Sequence, residues 1–213
     1  MLLPMSAAAS TVGMGTSLLG AGCAILSIMG SQRLQSCVLW ATELHHGQWR
    51  EGKTPVPYIC HPLEVLETLR YSGDVEDDDM LCAAVLHDVV EETSASVEDV
   101  KDRCGAGVAE LVRELTREEP EPEQIAGLDK EQVWQLRADL LLQEIMAMSP
   151  RAKTIKLCDR ISNLREARFV KSGKKLDRYV MQTRRILDVV PKKTHPPLWE
   201  ILRTEADSFG GRT

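Results

Sequence analysis

His61, His87, Asp88 and Asp159 are the residues whose types and settings could do chemistry together. The chain has five histidines, few enough to weigh one by one. His61 precedes Pro62 at the start of a helical pattern, and His87-Asp88 sits in an apolar helix expected over Met80 to Val90. A carboxylate following a core-pattern histidine needs a partner, because burying an unpaired charge is expensive. A metal ion meets that need. Far along the chain, Ile155-Lys156-Leu157-Cys158-Asp159-Arg160 sets another acid among apolar helix positions. Asn163, the single asparagine, follows Asp159 at i+4 on the same face. Two imidazoles and two carboxylates form a mixed nitrogen and oxygen set suited to Mn²⁺, Fe²⁺ or Zn²⁺. Glu91 and Glu92 lie four residues beyond His87 and Asp88, so they can flank the same site as general bases for an activated water. The competing reading makes them ordinary cap and surface acids near a helix end.

The elements that must position these groups read as helices. Leu34, Val38, Ala41 and Leu44 keep helical spacing, so a helix runs to about His46. Gly47 to Ile59, with Pro55 and Pro57, reads as a loop. Pro62 suits the first turn of the next helix, and Asp77-Asp78-Asp79 suit the positive end of the one after it. Ser96 is an N-cap for a short helix ending near Gly105, and Val108, Leu111, Val112 and Leu115 mark another. After an acidic loop over Glu118 to Gly127, four further helices are expected over Asp129–Met148, Lys153–Val170, Lys174–Val190 and Pro197–Ser208. Aromatic residues are only 4% and no alternating strand series appears. The fold class is all-α.

Composition narrows the function classes. The 213 residues carry a formal charge of −6, which argues against a general nucleic-acid coat protein. Arg151 to Arg185 nevertheless holds twelve Lys/Arg against three acids, a window of +9. Such a stretch can hold a phosphate-rich ligand or simply form a solvated amphipathic helix. Six cysteines without a CxxC pair read as reduced core thiols of a cytoplasmic protein. Cys60 and Cys158, beside presumed ligands, are assigned to packing. His45 and His46 are given a surface or helix-end role, His195 a loop, and Trp134 and Trp199 the anchoring of helices. Residues 1–30 read as an uncharged extension outside the packed domain, with Met29 as an alternative start; targeting is the rival reading. Its run from Leu18 to Met29 is twelve residues long, against about 20 needed to cross a bilayer. No stable membrane association is expected. The domain itself is expected over 31–209, with a short tail over 210–213.

The segments His61-Pro62, Leu86-His87-Asp88-Val89-Val90-Glu91-Glu92-Thr93 and Lys156 through Arg165 together resemble the HD-superfamily hydrolase domain of RelA/SpoT homologues. Pro57 to Pro62 and Gly107 to Val112 extend the resemblance, which spans about Leu34 to Arg185. It implies an HD-domain bundle of about 8–10 helices around a central Mn²⁺ held by His61, His87, Asp88 and Asp159. The implied reaction is hydrolysis of ppGpp or pppGpp at the 3′-diphosphate, releasing pyrophosphate and GDP or GTP. Glu91 and Glu92 match the acidic pair that orients or deprotonates the attacking water. Arg50 matches an arginine that contacts the nucleotide, and Asn163 an asparagine beside metal and ribose. Tyr58 and Arg165, inside the matched segments, and Lys153, in the basic window, complete the expected substrate contacts. Three departures stand out: Glu92 where most relatives have Asp, Glu51 where many carry a second basic residue, and Glu166 in place of a smaller or shorter polar group. The resemblance implies a stand-alone small alarmone hydrolase. The alternatives are an HD-type phosphohydrolase of another nucleotide, such as an adenine alarmone or NADPH, and a non-catalytic nucleotide sensor.

Overall fold

The computed structural model describes residues 31–209. The uncharged stretch over 1–30, the alternative start at Met29 and the tail over 210–213 lie outside them. Among the described residues the chain is helical throughout, with a single antiparallel bridge between Trp49 and Pro57. The helices are α1 (Gln32–Leu44), α2 (Cys60–Glu67), α3 (Asp78–Leu86), α4 (Val89–Glu92), α5 (Val97–Cys104), α6 (Ala106–Leu115), α7 (Pro122–Ile125), α8 (Lys130–Ala147), α9 (Pro150–Val170), α10 (Gly173–Val189) and α11 (Pro196–Asp207). A π turn over Thr68–Ser72 extends α2.

Two helices form the centre. Every residue of α3 from Met80 to Leu86 is buried, as is an unbroken run of α9 from Thr154 to Ser162. A helix that buries all its faces must be covered on all sides. Accordingly, α1, α2 and α6 pack on α3, while α2, α10 and α11 pack on α9. Local chemistry fixes where the central helices begin. Asp77 accepts from Met80 N–H at 3.1 Å, and Ser149 caps α9 through Ala152 N–H at 3.2 Å with Pro150 in the first turn.

The structure moves several expected boundaries. The helix through Met80 stops at Leu86 instead of running to Val90, because His87 and Asp88 form a turn before α4. Apolar periodicity continues through Val89 and hides that break. The acidic loop contains the single turn α7, begun by Pro122. Helix α9 starts three residues before Lys153, at the Ser149 cap. His195 is more than a loop residue: it caps α11 by accepting from Leu198 N–H at 3.4 Å, and its Nε2 lies 2.9 Å from Gly73 O. Trp199 does anchor its helix, donating to Val190 O at 3.0 Å. His45 closes α1 but is buried, stacked on Tyr58 with ring centroids 4.7 Å apart. Cys158 is packed in the core, whereas Cys60 is exposed.

Candidate metal centre and nucleotide cleft

His61 from the first turn of α2, His87 and Asp88 from the break after α3, and Asp159 from the middle of α9 converge where these three elements meet. Ligand atoms of His61, His87 and Asp88 all lie within 4.8 Å of one another. His87 Nε2 is 3.1 Å from Asp88 Oδ1, and His61 Nε2 is 3.5 Å from Asp88 Oδ2. Asp159 Oδ1 stands 3.3 Å from His61 Nε2 and 3.8 Å from His87 Nε2.

The outer nitrogens set the tautomers. His87 Nδ1 lies 2.8 Å from the carbonyl of Ala84, which can only accept, so Nδ1 carries the proton. His61 Nδ1 lies 2.9 Å from Ser162 Oγ, whose own hydroxyl donates to Glu64 at 2.7 Å. Both Nε2 lone pairs therefore face the cluster, an arrangement that metal-ligating histidines share. Burial lowers the pKa of His87 despite the pull of Asp88 and Asp159, which favours the neutral ring. His87 Nε2 is buried with no hydrogen-bond partner. A lone pair left so is costly unless a cation meets it. These donors fit a divalent metal ion.

Supporting groups hold the carboxylates in their charged form. Tyr58 donates to Asp88 Oδ2 at 2.8 Å, and the buried Lys156 ammonium sits 2.9 Å from Asp159 Oδ2. Burial opposes ionisation of Asp159, but the Lys156 ammonium holds its pKa well below the ordinary value. Lys156 is raised in turn by Asp159 against its own burial. Glu91 lies beyond Asp88, its Oε1 accepting from Arg117 N–H at 2.7 Å. Local desolvation and the Asp88 charge raise its pKa, against Arg117 and Lys156.

A cleft of about 520 Å³ opens beside the cluster, with Arg50, Tyr58, Glu92, Arg117, Asn163 and Lys171 in its walls. Asn163 donates to Asp159 Oδ1 and accepts from Arg50 Nη2 at 2.9 Å. Arg50 also forms a two-pronged pair with Glu166 and lies 5.3 Å from the Tyr58 ring centroid. The Glu166 departure thus has a partner: it grips the arginine. Glu51 points to solvent, 3.8 Å from Lys171. A smaller pocket of about 270 Å³ on the other side of Arg50 and Glu166 carries Val56, Cys60, His61 and Arg165.

Not every expected contact gathers here. Lys153 spends its ammonium on Met146 O at 2.9 Å, and Arg165 binds Glu205 at 3.0 Å from the rim of the smaller pocket. Much of the basic window is neutralised in the same way. Arg151 pairs with Asp77, Arg168 with Glu205, Arg178 with Glu131 and Arg185 with Asp139. Lys171 and Arg117 in the cleft wall, and Ser162 and Lys156 behind the ligands, had no individual role in the sequence reading. Ser162 and Lys156 lie inside the Lys156–Arg165 segment, and Lys171 in the basic window, so the segments signalled them although single positions did not.

The family model described as HD domain matches residues 37–186. The chain belongs to the HD-domain family. The guanosine-3′,5′-bis(diphosphate) 3′-pyrophosphohydrolase MESH1 of Drosophila melanogaster is 33% identical over 162 residues, 74% of this chain and 84% of that one. The Homo sapiens protein of the same name is 33% identical over 140 residues, 65% of this chain and 72% of its own. A solved structure, described as a metazoan ortholog of SpoT that hydrolyzes ppGpp and plays a role in starvation responses, superposes with a TM-score of 0.73. It is 31% identical and covers 84% of this chain and 97% of its own. The HD-domain chain is thus related in sequence and shape to hydrolases of one nucleotide class.

Proposed function

We propose that this HD-domain chain hydrolyses guanosine 3′,5′-bis(diphosphate) and its 5′-triphosphate analogue at the 3′-diphosphate, releasing pyrophosphate with GDP or GTP. The observation that carries the reading is the His61, His87 and Asp88 cluster, with its partnerless His87 Nε2, beside a cleft whose walls carry Arg50, Arg117 and Lys171. His61, His87, Asp88 and Asp159 would hold Mn²⁺. When bound, the ion supplies Lewis acidity toward water and phosphoryl oxygen.

The chain's own groups supply the rest. Tyr58 and Lys156 keep Asp88 and Asp159 charged and aimed, while Ser162 fixes the ring of His61. Glu91 and Glu92 take the proton of the attacking water, and the raised pKa of Glu91 makes it a better acceptor near neutral pH. Arg50, Arg117 and Lys171 bind the phosphates and offset the charge that builds on the leaving group. Asn163, tied to both Asp159 and Arg50, orients the ribose against the cluster. Residues 31–209 form the catalytic domain, and the partner is a small nucleotide, not a nucleic acid. No helix among the described residues is long and apolar enough to cross a membrane.

Purified chain incubated with ppGpp and Mn²⁺ should yield GDP and pyrophosphate, lost on chelation. Asp88→Asn should abolish turnover while leaving the fold intact by circular dichroism; full activity with normal metal content would sink the proposal. The Glu166 grip on Arg50 favours one second reading, a different phosphorylated nucleotide as substrate, and competition among guanine and adenine nucleotides decides between them.

A further inference from the structure

Away from the cluster, three cysteines meet inside the bundle. Cys37 of α1, Cys82 of α3 and Cys104 of α5 are all buried. Cys37 donates to Cys104 Sγ at 3.0 Å, across 67 residues of sequence. Cys82 is a further hydrogen-bonding neighbour of Cys37. The contact between the first two is part of a continuous seam between α1 and the end of α5. Arg33, one turn before Cys37, donates to Cys104 O at 3.4 Å, and Arg103 lies 4.8 Å from the ring centroid of Trp40, one turn after it. Arg33 is itself fixed by Asp78 and Asp79 at the start of α3, at 2.8 and 2.6 Å.

The two sulfurs are chemically unequal. The Cys37 S–H, then Arg33 and Arg103, lower the pKa of Cys104 against its burial. Cys37 is pushed far up by its bonds to Cys104 and Cys82 and by burial. Cys104 is also the one at an edge: it is the last residue of α5, before Gly105 at φ +95°, and 4% exposed, where Cys37 is sealed. A thiolate-prone sulfur at the edge with a protonated sulfur behind it is the layout of an attacking and a resolving cysteine.

We propose that Cys37 and Cys104 are an oxidisable dithiol that hydrogen peroxide closes into an intramolecular disulfide joining α1 to the end of α5. The Cys104 sulfur attacks one peroxide oxygen, the O–O bond breaks, and the departing hydroxide takes a proton to become water. Cys104 is then a sulfenic acid. The Cys37 sulfur attacks it, the S–S bond forms, the S–O bond breaks, and a second water leaves with the remaining thiol proton. Two thiols and one peroxide give one disulfide and two waters, with two electrons passing from sulfur to oxygen.

The test uses the reduced full chain treated with graded hydrogen peroxide, followed by alkylation of remaining thiols and digestion without reductant. Mass spectrometry should find the Cys37 and Cys104 peptides joined within one chain, two hydrogens lighter than their sum. Because the closed loop spans 67 residues, the melting temperature should rise by about 5–10 °C. Dithiothreitol should reverse both. Cys104→Ser should show neither change, while Cys82→Ser should still form the link. The proposal is overturned if Cys37 and Cys104 stay fully alkylatable at peroxide levels that oxidise exposed Cys60. It is equally overturned if Cys104 stops at sulfinic acid, or if the link joins Cys37 to Cys82 or two chains. Mapping on the unaltered chain decides the matter even if a serine variant fails to fold.

Discussion

Helix α9 contains two regions with similar sequences of charge and opposite fates. In its central part Lys156, Asp159 and Arg160 are buried, and each has a partner that also serves the interior: Asp159 for Lys156, Thr183 for Arg160. In its last two turns Arg165 and Arg168 reach outward to Glu205 on α11. Both regions contribute to the +9 window. The difference is solvent. A buried ion pair commits both partners, because removing one strands the other. An exposed pair gains little, because water already solvates both charges. The charge run therefore marks an amphipathic helix at one end and a buried, paired wall behind the candidate ligands in the middle.

Asp159→Ala has the largest expected effect. It leaves the Lys156 ammonium buried without its partner, and urea unfolding should show a loss of about 3–5 kcal/mol. A loss near that of an exposed pair would mean that the central region is not distinct. Ser162→Ala, which strands the buried His61 Nδ1–H, should cost about 1–3 kcal/mol, less than Asp159→Ala. Calorimetric titration should also show metal affinity weakened about 10–100-fold.

Asp77→Ala probes the other central helix. Loss of the cap on Met80 N–H should cost about 1 kcal/mol, read as a lowered urea midpoint. Burial opposes ionisation of Asp77, but the Met80 N–H and Arg151 hold its pKa below the ordinary value. The folded pKa is lower than the unfolded one, so this contribution is present above the ordinary carboxylate range and disappears as pH falls through the folded value. The gap between wild type and variant should accordingly close in acid. The smallest effect belongs to Arg168→Ala, expected within about 1 kcal/mol and without change in turnover. A large loss there would erase the contrast between the two regions of α9.

Much of the fold was legible because its signals are local. Helical spacing, the Asp77 and Ser96 caps and the glycine after Cys104 sit within a few residues of what they control. The candidate ligands were legible because a histidine and two acids stood in apolar runs. Their support was not. Ser162 meets His61 across 101 residues and Arg50 meets Glu166 across 116, and no periodicity encodes such pairings. The break at His87 was hidden for a related reason: Val89 is buried after the turn as the preceding residues are within the helix, so hydrophobicity alone cannot register the change of direction. The basic window left two readings open because its neutralising acids lie in other helices. Arg178 and Arg185 find theirs on α8, 47 and 46 residues away.

Asn163 touches Asp159 with its amide nitrogen and Arg50 with its amide oxygen, so one side chain belongs to both the candidate ligand cluster and the cleft. An occupant of the cleft that draws Arg50 away changes what Asn163 can offer Asp159. Under the proposed function, ion and nucleotide are then coupled through one side chain, and whatever factor one contributes to the affinity of the other is returned in full.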